Sequence, residues 1–256
     1  MFLSRVLCPD GQLSLVLRQG SEAALVHGDA DLCTLACRAM DDGVALIDLL
    51  LQRRLGAPVD VAGLLAQGRL LSPLPDGPAL LLPAGLAEDQ RPLTRIAPGQ
   101  GLGLVQGGAL EGGVAAVFVT GGGGRDCLIG WTLTHVGMNA SVQSERVLCC
   151  GPELCLLSDE RPGAGQARLL RDEGTLIEFG IPDAGRLPEG EQAVANLPAG
   201  TVVIRRLSRW LLRPRADYLD AVVESRVAGL GMALRNPLSR EGAGVMAPAD
   251  TVRRQA

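Results

Sequence analysis

Val114-Ala115-Ala116-Val117-Phe118-Val119-Thr120-Gly121-Gly122-Gly123-Gly124-Arg125-Asp126-Cys127-Leu128-Ile129-Gly130-Trp131-Thr132-Leu133-Thr134 is the stretch on which the fold turns. An apolar, β-branched run meets an unbroken run of glycines, and a second apolar run leads away from it. Glycine enters the positive-φ conformations of a tight turn at little cost, so the pattern predicts two antiparallel strands closed by a hairpin. Working outward, short apolar runs punctuated by glycine recur at residues 154–157, 167–171, 175–179, 201–205 and 221–227. The longest helical candidate among them is 139–148. With 34 glycines and 16 prolines in 256 residues, tight turns dominate, and a β-rich body is favoured over a helical bundle.

Upstream the texture differs. Residues 12–17 and 22–27 read as two strands joined by Arg18-Gln19-Gly20-Ser21. Residues 31–39 suit either a short helix or a loop. Val44 to Gly56 has apolar residues at helical spacing, acids before it, arginines in its last turn and a glycine after it. A second short helix is predicted over 60–67, stopped by Gly68. An extended exit then enters the proline-rich connector 73–78, where a domain boundary is expected. The expected architecture is therefore α+β and β-rich, with a small N-terminal α/β domain at 1–75 and a sheet-dominated domain at 76–256.

The chemical inventory is sparse, and its gaps exclude whole classes. All 24 basic residues are arginine; there is no lysine. A P-loop needs a lysine on its phosphates, and Schiff-base chemistry needs a lysine amine. The two histidines, His27 and His135, lack the spacing of a zinc finger. Three Phe, two Trp and one Tyr, with a net charge of −4, supply neither a base-stacking platform nor the basic footprint of nucleic-acid binding. Gly101-Leu102-Gly103 lacks the third glycine and the following helix of a dinucleotide fingerprint. No apolar run is long enough to span a bilayer, and Met1 to Asp10 has no signal-peptide core. The seven cysteines are then expected as reduced thiols in a cytoplasm. Cys33 and Cys37, with Cys149, Cys150 and Cys155, read as small apolar core filler. Adjacent cysteines chelate poorly, and no histidine joins them.

The C-terminal section carries the most specific pattern. Val222-Val223-Glu224-Ser225-Arg226-Val227-Ala228-Gly229-Leu230-Gly231 leads into Leu234-Arg235-Asn236-Pro237-Leu238. Upstream stand Gly151-Pro152-Glu153-Leu154 and Ser158-Asp159-Glu160-Arg161-Pro162, then a hairpin over 167–178. The helix–exit pattern ends in Gly68-Arg69-Leu70-Leu71-Ser72-Pro73-Leu74. Together these resemble the fumarylacetoacetate hydrolase family, most nearly its branch of dehydratases acting on 2-keto-3-deoxy sugar acids.

The resemblance implies a mixed β-roll in which three carboxylates hold Mg²⁺ or Mn²⁺. The ion grips a 2-oxo acid and acts as a Lewis acid for hydrolysis, hydration, dehydration or decarboxylation. It also implies a homodimer. This chain departs from the pattern at each chemical position. Where the family has Glu-x-Glu, Glu111-Gly112-Gly113 keeps one acid. Gly130-Trp131-Thr132-Leu133-Thr134-His135-Val136 places Val136 at the third ligand position. The family's lysine is absent, and Arg205-Arg206-Leu207-Ser208-Arg209-Trp210 stands where a Thr-Gly-Thr loop is expected. Residues 83–108 are shorter than the family's lid region.

Glu111 is thus the residual metal candidate, with Asp126 and Glu145 as acids that could converge on it. His135, beside the missing ligand, is either a site for a softer metal or a hydrogen-bonded structural residue. The reading this favours is a divergent protein with an incomplete metal site, catalytically impaired or inactive, acting as a pseudoenzyme or by binding. No cofactor is then expected unless the family's Mg²⁺ or Mn²⁺ site survives. The alternative is an active hydratase, dehydratase or hydrolase with a rebuilt site, in which Arg205, Arg206 and Arg209 clamp the carboxylate of a small 2-oxo acid. As residues alone, 205–209 read as a solvated, charged edge strand. A plain interaction module is the third reading. Neither nucleic acid nor membrane is expected as a partner.

Overall fold

The computed structural model describes residues 1–28, 31–74, 78–82, 93–103, 108–122, 125–138, 146–156, 162–172, 174–184, 197–213 and 215–239. In chain order the N-terminal elements are β1 (Phe2–Leu7), β2 (Leu13–Gln19), β3 (Glu22–Val26), α1 (Leu32–Asp42), α2 (Leu46–Leu51), β4 (Leu55–Pro58), α3 (Val61–Ala66) and β5 (Leu70–Leu71). Next come β6 (Ala79–Leu82), β7 (Leu93–Ile96), β8 (Leu102–Gly103), β9 (Ala109–Thr120), β10 (Asp126–Met138), β11 (Arg146–Cys150) and β12 (Leu154–Leu156). The chain continues through β13 (Gly165–Arg171), β14 (Gly174–Ile181), β15 (Val202–Arg206), β16 (Trp210–Leu212), β17 (Val222–Val227) and β18 (Leu234–Ser239). The molecule is α+β and strand-dominated. None of its described helices is long and apolar enough to cross a membrane.

The β9–β10 hairpin forms as its glycine turn predicts, but both strands run further than the sequence suggested. Pairing continues from Asp126↔Thr120 to Met138↔Ala109. Both faces are buried, because the strands are apolar at odd and even positions alike. Ala115, Val117 and Val119 join one core with Val136, Leu148 and the helix residues Leu32, Leu35 and Ala36. Leu110, Val114 and Ala116 join the other, with Trp131, Leu133, Trp210 and Val223.

Around this hairpin the described strands form a 13-stranded sheet whose main path is β4-β3-β2-β1-β12-β10-β9-β15-β6. A 5-stranded sheet, β14-β13-β17-β18-β8, covers the second core. β1 was not foreseen as a strand. It pairs with β2 and with β12, where Phe2 faces Cys155, so the N-terminal strands are hydrogen-bonded into the main sheet. Residues 146–148 belong to β11 and not to the expected helix; the rest of that segment lies outside the described residues. Pairing with β10 and β7 overrides helix propensity there.

Residues 31–39 resolve as a helix. Its N-cap Asp31 accepts from the Cys33 amide, and Gly43 closes it at φ 66°, a left-handed C-terminal conformation that glycine adopts without strain. α1 buries Leu32, Leu35, Ala36 and Ala39 against the β9–β10 face. All seven cysteines are free thiols. Burial pushes the Cys33 and Cys149 thiols up to about 12, so both stay protonated at neutral pH, as core filler does.

A buried ion pair ties β2 to the loop before β12. Arg18 donates from Nε and Nη2 to both oxygens of Glu153, at 2.5 and 2.8 Å, and the Met232 amide adds a third bond at 2.8 Å. The guanidinium also lies 4.4 Å over the Phe2 ring. Glu153 is 2 % exposed, so removing its cation strands a charge in a low-dielectric setting. Arg18→Met is expected to destabilise the protein by about 3 kcal/mol in urea titration, with much of the loss recovered in Arg18→Met/Glu153→Gln. Equal losses in the single and double variants would contradict this account.

Candidate functional site

The two strands of the hairpin put the candidate residues into register. Glu111 faces Val136 on β10 and Leu211 on β16, and Gly112 faces His135 and Trp210. Side chains alternate along a strand. Glu111 and Val136 therefore share the face of the first core, while His135 and Trp210 share the other.

Glu111 is 5 % exposed and Arg206 6 % exposed. Arg206 donates from Nη1 to Glu111 Oε2, and the half-exposed Arg209 brings Nη1 to 3.6 Å from Oε1. Arg206 arrives there through β15, which pairs with β9 so that Arg206 faces Ala115. The chain then steps over Gly113. The Leu207 amide donates to the Val114 carbonyl at 2.9 Å, and the Val114 amide donates to Ser208 Oγ at 3.1 Å. Pairing resumes as β16. The close approach has a steric consequence: a Cβ at Gly113 would collide with the Ser208 carbonyl, and one at Gly112 would collide with the Trp210 indole. Both positions are glycine because the crossing segment occupies their side-chain space.

Arg205 and Arg206 do not act as one clamp. Adjacent strand residues point to opposite faces; the Arg205 guanidinium lies 5.8 Å over the Phe118 ring, and Arg206 turns to Glu111. Nor is the strand that carries them an edge, since β15 lies between β9 and β6. Asp126 does not converge on Glu111. It faces Thr120 at the opposite end of the hairpin. Burial there raises its pKa against the field of Arg205. Glu145 lies outside the described residues.

His135 is fully buried, and both ring nitrogens are engaged. Asn236 Nδ2 donates to the Gln100 carbonyl at 2.8 Å, which turns its Oδ1 toward His135 Nδ1, also at 2.8 Å. Nδ1 therefore carries the proton. Nε2 accepts from Ser225 Oγ at 2.8 Å, and the ring stands edge-on to Trp210, 5.7 Å between centroids. Burial pushes the imidazole down to about 4, only partly opposed by the bond to Asn236. The ring is neutral, and its one acceptor nitrogen is already used. The sequence quoted Ser225 and Asn236 as parts of a C-terminal pattern, but spacing alone could not show them meeting a histidine on another sheet.

A hard dication needs several anionic oxygens around one point. Among the described residues no three His, Cys, Asp or Glu side chains converge in that way. Glu111 is charge-matched by guanidinium, position 113 has no room for a side chain, and Val136 is a buried apolar residue. The described residues around Glu111 do not fit the ion.

No family model and no curated protein matches the chain. Solved structures do. A 2-keto-3-deoxy-D-arabinonate dehydratase complexed with magnesium and 2,5-dioxopentanoate is similar at TM-score 0.64 and 15 % identity, covering 94 % of this chain and 100 % of its own. A hexagonal crystal form of 2-keto-3-deoxyarabinonate dehydratase gives 0.65 and 14 %, with the same coverage. The chain has the fumarylacetoacetate hydrolase fold. The fumarylacetoacetate hydrolase of the psychrophile Exiguobacterium antarcticum is also similar, at 0.59 and 13 %, covering 94 % of this chain and 100 % of that one.

The buried imidazole gives a signed pH dependence. Its folded pKa of about 4 lies below the unfolded value near 6.5, so above that pH both states are neutral and His135 contributes no slope. As pH falls from about 6.5 to 4 the unfolded chain takes up a proton that the folded chain refuses, and stability drops by roughly 3 kcal/mol. Urea unfolding measured across this window should show one proton less of uptake in His135→Gln; an unchanged slope would contradict the neutral assignment.

Proposed function

We propose that this protein uses the fumarylacetoacetate hydrolase fold for binding, without divalent-metal catalysis. The observation that carries the reading is at Gly113, where the Ser208 carbonyl occupies the space a second ligand side chain would need. Across the strands Val136 offers no oxygen. Among the described residues this site has one carboxylate, paired to arginine, and not the donor set through which a dication would polarise a 2-oxo acid. No catalytic step through a metal follows from these residues.

The ligand class to test first is a small 2-oxo acid, because a structural neighbour was crystallised with 2,5-dioxopentanoate. A second reading, turnover of such an acid in a rebuilt arginine site, is favoured by one observation. The Arg209 side chain is 44 % exposed while reaching Glu111, so a guanidinium at this site remains accessible to a carboxylate.

Isothermal titration with Mn²⁺ and Mg²⁺, and a turnover panel of 2-keto-3-deoxy acids with and without these ions, tests the first reading. The expected result is no stoichiometric metal binding and no turnover above the protein-free rate. Micromolar metal affinity would sink it. Turnover lost on Arg209→Ala would establish the second reading instead.

A further inference from the structure

We propose that Arg206 is a built-in counter-ion, placed by the chain beside the buried Glu111 carboxylate where the fold's resemblance would put a divalent ion. The inference rests on the metal-free reading and deepens it, by naming what replaces the ion. Glu111, Gly113 and Ala115 share one face of β9, since residues two apart on a strand face the same way. Arg206 sits across from Ala115, and its guanidinium reaches Glu111. The space a side chain at 113 would need is filled by the backbone of Ser208 and Arg209, two and three residues past Arg206. The same crossing segment that brings Arg206 to Glu111 therefore leaves no room for a second ligand side chain at 113.

The charges agree with this. Around Glu111 stand Arg206 and Arg209, two positive charges to one negative, so a further dication would meet repulsion. Guanidinium suits the role because it is planar, permanently charged and more weakly hydrated than an ammonium. Being part of the chain, it cannot be chelated away.

The test uses the full chain as wild type, Arg206→Ala, Glu111→Gln and Glu111→Gln/Arg206→Ala, followed by thermal unfolding with and without millimolar methylguanidinium. Arg206→Ala should lower the Tm by roughly 10 °C, because it strands a buried charge. The double variant should recover most of that loss. Methylguanidinium should raise the Tm of Arg206→Ala while leaving wild type and the double variant unmoved. A double variant no more stable than Arg206→Ala, or an equal response of all forms to methylguanidinium, overturns the counter-ion. If Arg206→Ala does not accumulate folded, the double variant decides alone: folded supports the proposal and unfolded overturns it. Mn²⁺ binding by wild type, read from the loss of its free-ion electron paramagnetic resonance signal, would sink the metal-free reading and the counter-ion with it. Silence toward Mn²⁺ with additive stability losses would sink the counter-ion only.

Discussion

The β9–β10 hairpin has to be covered on both faces, and that requirement sets the position of most of what surrounds it. A strand that reads Val-Ala-Ala-Val-Phe-Val has no side to give to water. One face is covered by α1, in a core shared with side chains of the neighbouring strands β11 and β15; the other is covered by the smaller sheet through Leu169, Val223 and Leu234. The main sheet is extended at both ends in consequence, with β15 and β6 beyond β9, and β12, β1, β2 and β3 beyond β10. Glycine at 130 belongs to the same economy of space, because a Cβ there would collide with the Cys155 carbonyl of the neighbouring β12.

Placing ionisable groups on such a hairpin forces a local answer for each. Glu111 and His135 lie at the same end but on opposite faces, and the two answers differ. The imidazole gives up its charge, which costs little because its ordinary pKa is close to neutrality. Glu111 is paired with a guanidinium instead. The hydrogen bonds of His135 to Ser225 on β17 and Asn236 on β18 then hold the smaller sheet in register with the hairpin. One buried polar triad thus does for orientation what the apolar contacts around it cannot, since hydrophobic burial alone is indifferent to small sliding motions.

The parts of this that were legible in the sequence are those with local causes. The glycine-closed hairpin, the second short helix over Val61–Ala66 and the β-rich body all follow from turn chemistry and periodicity. The helix expected over 44–56 forms only over Leu46–Leu51: Arg53 and Arg54 lie past its end, and Leu55 and Gly56 enter β4, which pairs with β3. β1 pairs with β2 across the Pro9-Asp10-Gly11 turn, but Ser4 and Arg5 interrupt its apolar pattern, and its other partner, β12, is far along the chain. The helix expected at 139–148 fails over 146–148 for a similar reason: β11 is stabilised by β10 and β7, neither visible from within the segment. At the site, Gly113 and Val136 stand out by resemblance to the family pattern. What fills the resulting space could not. That Arg206 turns inward while Arg205 turns to Phe118 depends on which face of β15 meets β9, a one-residue matter of register that spacing does not decide.

Arginine-only basicity has a physical bearing on this arrangement. Three glutamates are buried among the described residues, Glu111, Glu153 and Glu224, and each is paired with an arginine: Arg206, Arg18 and Arg235 respectively. The fold therefore has one general solution for a buried carboxylate, and Glu111 follows it. Its distinction lies in the partner's burial. Arg235 is 57 % exposed and Arg18 keeps part of its side chain at the surface, so both can snorkel toward water. Arg206 has lost nearly all of its hydration, and a cation gives that up only where a fixed negative charge makes up for it. A guanidinium in such a place is held there by the carboxylate as much as the carboxylate is held by it. The mutual dependence makes Glu111 and Arg206 a single unit of the structure, in which neither can change alone without leaving an unpaired charge inside the roll.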